Sequence, residues 1–326
     1  MMASAIRIHE IGGPEVLTLE EITLGAPGPG EVKLRHTAIG LNFIDTYFRS
    51  GLYKAPNGLP FIPGNEAAGV VTEIGEGVAG LKPGDRVAYG SALGAYCSER
   101  IMSAAPLVRL PDSIADETAA AMMLKGMTAR YLLRQTYKVA AGDTLLVHAA
   151  AGGVGQILCQ WAAHLGATVI GTVGSAAKAE IAKACGAAYV INYSEEDFVA
   201  RVREITEGAL CDVVYDGVGQ ATYPASLDCI KPRGLFASFG NASGAIKDFS
   251  LLALSQKGSL YATRPTLVTH IATREDLLAN ADDLFEVVGS GVVKIPVNQR
   301  YRLADAAEAH RDLESRRTTG STVLIP

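Results

Sequence analysis

From Leu145 to Gly155 the chain reads Leu-Leu-Val-His-Ala-Ala-Ala-Gly-Gly-Val-Gly. An apolar, strand-like run passes directly into a turn of small residues that opens a helix. Such a turn lets backbone N–H groups approach a pyrophosphate, and the helix N-terminus favours negative charge there. A strand, a glycine-rich turn and a helix in this order constrain the chain to a βαβ unit with room for a dinucleotide. Small-residue turns also occur without a ligand, and Ala150 stands where the first glycine of the motif is usual. The flanking apolar strands and the helix between them strengthen the dinucleotide reading.

The same segment favours one dinucleotide. An NAD-binding unit carries an Asp or Glu about 20 residues beyond the glycines, on the ribose hydroxyls. From Gln156 to Ala179 there is no acid, and the second strand, Thr168 to Val173, ends in Gly174-Ser175 where the acid would stand. Lys178 follows, and Tyr193 closes the next apolar strand, Tyr189 to Asn192. A missing carboxylate removes repulsion against a 2′-phosphate, and a lysine adds attraction. Lys178 alone reads more readily as a solvated helix lysine than as a phosphate ligand; the empty acid position tips the expectation to NADPH.

Strands and helices alternate from Gly142 onward. Strands are expected at Thr144–Ala149, Thr168–Val173, Tyr189–Asn192, Asp212–Asp216, Gly234–Phe239 and Ser259–Thr263. Helices are expected at Gln156–Leu165, Ala176–Cys185, Asp197–Thr206 and Ala221–Ile230. This is the pattern of a doubly wound parallel sheet, an α/β fold. The first third differs: short strands (Val16–Leu24, Val32–Ala38, Gly69–Ile74, Arg86–Ala88) are separated by breakers such as Pro27-Gly28-Pro29-Gly30 and Lys82-Pro83-Gly84-Asp85, as in a small β-barrel or sandwich. Ser113 is a candidate cap for a helical run Thr118–Met123, with a second helix at Ala129–Gln135. A helix at Arg274–Ser290, a strand at Ile295–Tyr301 and a helix at Ala304–Ser315 precede the last strand, Ser321–Ile325. That strand resembles the N-terminal segment in texture, so the C-terminus is expected to fold back onto the first domain and make it discontinuous.

With 326 residues, 48% of them hydrophobic, the chain has enough apolar matter for about two domains. A net charge of −5 leaves no electrostatic footprint for nucleic acid. No apolar segment reaches the length of a membrane helix, and the N-terminus lacks the basic and apolar regions of a signal peptide. Five scattered cysteines without a Cys-x-x-Cys pair suit reduced thiols, so a cytoplasmic protein is expected.

Motifs along the whole length carry a family resemblance. They are Gly40-Leu41-Asn42-Phe43-Ile44-Asp45, Pro63-Gly64-Asn65-Glu66, Gly84-Asp85-Arg86-Val87, Ala150-Ala151-Gly152-Gly153-Val154-Gly155 with Gln160, Asp212-Val213-Val214-Tyr215-Asp216 and Thr263-Arg264-Pro265. The chain resembles the quinone oxidoreductases of the zeta-crystallin type, within the medium-chain dehydrogenase/reductase superfamily. The resemblance implies a discontinuous GroES-like β-barrel catalytic domain (1–124 and 267–326), a Rossmann NADPH-binding domain (125–266), an active site in the cleft between them, and a homodimer. Zinc-dependent members of the superfamily use Cys and His ligands. Here Asn42 and Asn65 stand at the usual cysteine and histidine positions, and no Cys lies near Lys125. Amides do not replace thiolate and imidazole on zinc, so a zinc-free reductase is expected.

The implied reaction is hydride transfer from NADPH to a quinone, an electrophile that needs no Lewis acid. The resemblance places Asn42, Asp45 and Tyr47 at the reacting end as catalytic candidates. Asn42 and Tyr47 would also touch the cofactor, and Asp45 would serve mainly to orient or cap. Lys125 and Thr128 are expected at a helix start facing the cofactor; a solvated lysine and a plain cap are the competing reading. Gly152, Gly153, Val154, Gly174, Lys178, Tyr193, Gly217, Val218, Phe239 and Gly240 complete the cofactor set, with Arg264 and Arg317 closing the pocket. A surface role suits Arg317 equally. His148 reads as structural. Two alternatives stay open: an NADPH-dependent alkenal or enone reductase, and a non-catalytic NADPH-binding protein of crystallin-like or RNA-binding type, which the acidic balance disfavours.

Overall fold

The computed structural model describes residues 2–326. In chain order the first elements are β1 (Met2–Arg7), β2 (Thr18–Thr23), β3 (Glu31–Leu41), α1 (Phe43–Arg49), β4 (Glu66–Ile74), β5 (Arg86–Gly90), β6 (Glu99–Ser103) and β7 (Val108–Arg109). Then come α2 (Asp116–Tyr131), β8 (Thr144–Val147), α3 (Gly153–His164), β9 (Thr168–Val173), α4 (Ala176–Ala184), β10 (Tyr189–Asn192), α5 (Phe198–Ile205), β11 (Cys211–Asp216) and β12 (Ile230–Ser238). The last are α6 (Leu251–Gln256), β13 (Tyr261–Thr263), α7 (Leu267–His270), α8 (Arg274–Gly289), β14 (Val297–Arg302), α9 (Ala306–Glu314) and β15 (Ser321–Ile325).

The chain divides into two compact units. One comprises the described residues up to Met127 with Ile271–Gly289 and Ile295–Pro326; the other comprises Thr128–His270 with Ser290–Lys294. The boundary falls inside α2, so Lys125 belongs to the first unit and Thr128 to the second.

In the first unit the sheet order is β14-β15-β3-β4-β5-β7, with β6 also paired to β3. The C-terminal strand returns as expected: β15 lies antiparallel to β3, with Val323 opposite Gly40. Its core gathers Ile6, Val32, Leu34, Ile39, Val71, Val87, Tyr89, Tyr96 and Leu324 from strands distant in sequence.

The second unit holds a six-stranded parallel sheet in the order β10-β9-β8-β11-β12-β13. Counted from β8 this is 3-2-1-4-5-6, the doubly wound Rossmann order. Consecutive residues Leu145, Leu146 and Val147 on β8, and Val213, Val214 and Tyr215 on β11, are all fully buried. Burial on both faces explains why these strands read as continuous apolar runs rather than alternating ones.

Four expectations need correction. The two helices expected around Lys125-Gly126 are one, α2. A Cβ at Gly126 would lie 2.5 Å from the Leu284 side chain of α8, so this glycine admits a neighbouring helix instead of ending its own. Lys125 and Thr128 therefore sit inside a helix, not at its start. Ser113 lies too far upstream to cap α2, which begins at Asp116. The helix expected over Ala221–Ile230 is only a 3-10 turn, Ala225–Cys229; Pro224 carries no N–H and blocks the preceding turn. Strand β13 begins at Tyr261, because Ser259 takes a left-handed φ of 55°.

Candidate active site

In the second unit, Gly152, Gly153, Val154, Gly174, Tyr193, Gly217, Val218, Phe239 and Gly240 lie just past the carboxyl ends of β8, β9, β10, β11 and β12. The strand order reverses between β8 and β11, the place where open α/β sheets bind ligands. Gly152, Gly153 and Val154 lie half-buried at the start of α3, whose first-turn N–H groups have no intrahelical acceptor. The turn is tight. Ala149 takes φ 54°, and Gly152 N–H donates to Ala149 O over 2.8 Å. A Cβ at Gly155 would come within 2.3 Å of Ala149 O, so only glycine fits. Ala150, in the usual position of the first glycine, is accommodated by Gly171 of β9, where a Cβ would sit 2.7 Å from that of Ala150.

Strand β9 ends in Gly174 with Tyr193 beside it: a Cβ on Gly174 would meet the Tyr193 hydroxyl at 2.5 Å. Ser175 caps α4 by accepting from Lys178 N–H, which sets Lys178 in the first turn of that helix. Gly174, Lys178 and Tyr193 thus come together at one strand end. No acid stands at this strand end, where NAD-binding folds carry one; a glycine and the Tyr193 hydroxyl take its place.

The next two loops pack on each other. Asp216, fully buried, accepts from Val218 N–H (2.7 Å), Gly219 N–H (2.9 Å) and the Thr222 hydroxyl (2.6 Å). A Cβ at Gly240 would lie 2.3 Å from Gly217 O, and one at Gly217 would lie 3.0 Å from the Phe239 ring. Arg264 donates to Ser238 O at 2.8 Å, tying the chain after β13 to the end of β12. His148 is buried between Thr172 Oγ1 and Ser226 Oγ, 2.9 Å from each, and burial holds its imidazole below the ordinary range. Its partners are structural ones.

In the first unit a second cluster forms around the junction of β3, α1 and β4. The antiparallel register sets Gly40 opposite Glu66. A Cβ at Gly40 would lie 2.3 Å from Glu66 Oε2 and 2.1 Å from Ala120 O, so glycine leaves the passage through which Glu66 reaches inward. Glu66, fully buried, accepts from Lys125 Nζ (2.9 Å), Asn42 Nδ2 (2.8 Å) and Leu124 N–H (2.7 Å). Lys125 is 6% exposed, which overturns the solvated-lysine reading.

Asp45 is also fully buried. It accepts from Asn42 N–H (2.9 Å), Asn65 Nδ2 (2.8 Å) and the Tyr96 hydroxyl (3.1 Å). The bond to Asn42 N–H is the capping-box contact expected of a residue at the third helical position. Burial raises the Asp45 carboxyl from 3.8 to about 6, against the lowering effect of the three donors and of the Lys125 charge. Tyr47, 8% exposed, lies edge-on to Tyr53 with ring centroids 5.3 Å apart.

Both asparagines turn their amide N–H groups toward carboxylates, because only the nitrogen can face such a partner. That polarity is wrong for a cation, so the residues at these two positions do not fit a zinc ion. Among the described residues no group of three His, Cys, Asp or Glu side chains is placed to hold a metal. Arg317 stands apart from the cluster: its side chain is 72% exposed and pairs with Asp312 at 3.3 Å. Glu66 and Tyr96 were absent from the expected site. A Gly-x-Glu step after Pro63 hints at the first, whereas nothing local marks the second.

The comparisons with known proteins agree with this arrangement. Residues 28–144 match the alcohol dehydrogenase GroES-like domain, and residues 153–289 match the zinc-binding dehydrogenase model. A quinone oxidoreductase of Pseudomonas aeruginosa is 55% identical over the full length of both chains. A 2-haloacrylate reductase from a Burkholderia species is 46% identical over all of this chain and 99% of its own. The crystal structure of Escherichia coli quinone oxidoreductase complexed with NADPH superposes with a TM-score of 0.97 at 52% identity, covering 99% of this chain and 100% of that one. Shared fold, shared length and more than half the residues in common lead to one conclusion: the chain belongs to the zeta-crystallin-type quinone oxidoreductases of the medium-chain dehydrogenase/reductase superfamily.

Proposed function

We propose that this protein is an NADPH-dependent quinone reductase that works without zinc. The observation that carries the reading is the strand end at Gly174, where Lys178 and Tyr193 replace the ribose-binding acid. Bound NADPH supplies a hydride; with one proton from solvent or a side chain, a quinone becomes a hydroquinone. The dinucleotide is assigned to Gly152, Gly153, Val154, Gly174, Lys178, Tyr193, Gly217, Val218, Phe239 and Gly240, with Thr128 and Arg264 in support. The acceptor side is assigned to Asn42, Asp45 and Tyr47. In this assignment Asn42 and Lys125 hold fixed donors in a nearly water-free cluster, and the Tyr47 hydroxyl presents a proton. The exposure of Arg317 and its bond to Asp312 favour a surface role for it.

The test is cofactor oxidation across a panel of quinones and a panel of enals, with NADPH and with NADH, before and after chelation. NADPH-dependent quinone turnover that survives chelation is expected; no turnover with any quinone would refute the reading. The 46% identity to a 2-haloacrylate reductase keeps activated alkenes as a second acceptor class, favoured if enals outpace quinones.

A homodimer formed through β13 is part of the same proposal. This strand ends the parallel sheet, and Tyr261 on it is 64% exposed. Leu251, Leu252 and Val268 nearby are also exposed apolar residues. Unpaired edges flanked by apolar surface favour pairing with a second copy. No helix among the described residues is long and apolar enough to cross a membrane.

A further inference from the structure

Asp45 is the end point of a chain of hydrogen bonds that leaves α1 at Arg49, passes through α9 and returns to α1. Arg49, one turn further along α1, has its guanidinium buried. Its Nη2 pairs with Glu314 Oε1 at 2.6 Å, and its Nη1 lies 2.9 Å from His310 Nδ1. His310, on α9, is fully buried, and its Nε2 lies 3.0 Å from the Tyr96 hydroxyl. That hydroxyl lies 3.1 Å from Asp45 Oδ2.

The direction of every bond in this chain follows from chemistry. A guanidinium only donates, so His310 Nδ1 accepts. Burial and then the Arg49 charge hold His310 down near 3, so the imidazole is neutral and its single hydrogen sits on Nε2. That N–H donates to the tyrosine oxygen, which leaves the tyrosine hydrogen to donate to Asp45. Asn42 N–H and Asn65 Nδ2 donate to the same carboxylate. A protonated Asp45 would face the Asn42 and Asn65 donors, and it could donate to Tyr96 only if that hydroxyl turned its own hydrogen away. Gly64 makes the approach possible, since a Cβ there would lie 2.2 Å from the Tyr96 ring.

We propose that Tyr96 and His310 are positioning residues for the reductase reaction: as a one-way chain of donors from Arg49 they keep Asp45 ionised, and the charged carboxylate fixes the Asn42 backbone and the Asn65 amide. This rests on the assignment of Asp45 to the acceptor side. The groups facing Asp45 are Asn42 at the cap of its own helix, Asn65 just ahead of β4, Tyr96 ahead of β6 and the charge of Lys125 on α2; Arg49, Glu66 and His310 act on Tyr96, and Glu314 pairs with Arg49. Of the groups that burial shifts here, His310 lies near 3 and Tyr96 well above the ordinary tyrosine range, while Asp45 is brought to about 6. Activity that needs the ionised form therefore falls as pH drops through about 6.

The experiment is the pH dependence of kcat/KM for NADPH, which reports ionisations of the free enzyme, in wild type, Asp45→Asn, Tyr96→Phe and His310→Phe. Wild type is expected to lose activity on the acid side near pH 6, and Asp45→Asn to lack that limb. Tyr96→Phe removes one donor, so its limb moves upward by about one pH unit. His310→Phe moves it in the same direction by less, and it carries the test should Tyr96→Phe fail to fold. If Asp45→Asn removes the limb but both ring variants leave it in place, the positioning role is overturned while the reductase assignment stands. If Asp45→Asn keeps the wild-type limb, the assignment of Asp45 fails, and this inference fails with it.

Discussion

Replacing Lys125 by Met tests whether the Lys125–Glu66 pair is as desolvated as the structure has it. The two side chains are 8% and 0% exposed, with Nζ 2.9 Å from Oε2. Met keeps most of the side-chain volume, so the loss is chiefly electrostatic. Removing one partner of a buried pair costs about 3–5 kcal/mol, because the remaining charge stays out of water. Glu66 keeps two donors, Asn42 Nδ2 and Leu124 N–H, at 2.8 and 2.7 Å, which favours the lower end, about 3 kcal/mol. For a unit of roughly this size each kcal/mol lowers the unfolding midpoint by about 2–4 °C, so calorimetry should show a fall of about 6–12 °C. The double variant Lys125→Met/Glu66→Gln removes both charges and should recover on the order of 2 kcal/mol relative to the sum of the single changes. A midpoint within 2 °C of wild type, together with additive single effects, would refute the reasoning.

Lys178→Ala should raise the KM for NADPH at least tenfold and leave NADH nearly unchanged, since a charge-assisted phosphate contact contributes about 1.5–3 kcal/mol; equal weakening of both cofactors in steady-state kinetics argues against the phosphate assignment. Asp45 has a folded value raised to about 6 from 3.8. Its contribution to stability is therefore fully present below about 3.8 and is lost as pH rises through 6. The stability of wild type relative to Asp45→Asn should accordingly improve by about 3 kcal/mol between pH 7.5 and pH 3.8; a pH-independent difference in denaturant titrations contradicts the burial of that charge. Tyr261→Pro removes a donor from the exposed edge of the sheet and should shift light-scattering mass from dimer toward monomer; a wild type that scatters as a monomer at micromolar concentration removes the basis for the proposed interface.

The parallel sheet was legible because its signals are local. Buried strands such as Leu145–Val147 are apolar runs, the helices between them repeat at helical spacing, and the glycines at 152, 153 and 155 stand at the strand–helix turn whatever surrounds them. The cofactor preference was legible for the same reason: it depends on which residue ends one strand. Misreadings arose where a residue type has two uses. Gly126 looks like a helix breaker in sequence but is a packing glycine beneath Leu284, and only the neighbouring helix distinguishes the two.

The polar cluster is different in kind. Asn42, Asp45, Asn65, Glu66, Tyr96, Lys125 and His310 are scattered over most of the chain, and beyond the capping pair Asn42–Asp45 and the neighbours Asn65–Glu66 no spacing relates them. Their meeting depends on the register that sets Gly40 opposite Glu66 and on the return of the C-terminal segment, through β15, to β3. Whether a lysine is solvated or paired with a buried carboxylate depends on what packs around it, and its neighbours in sequence do not carry that information. The sequence by itself determined the sheet, the dinucleotide turn and the missing acid, because each is a property of a few consecutive residues. Tertiary structure alone decided the protonation, orientation and partners of the buried polar groups, because burial and hydrogen-bond geometry exist only once distant segments have met.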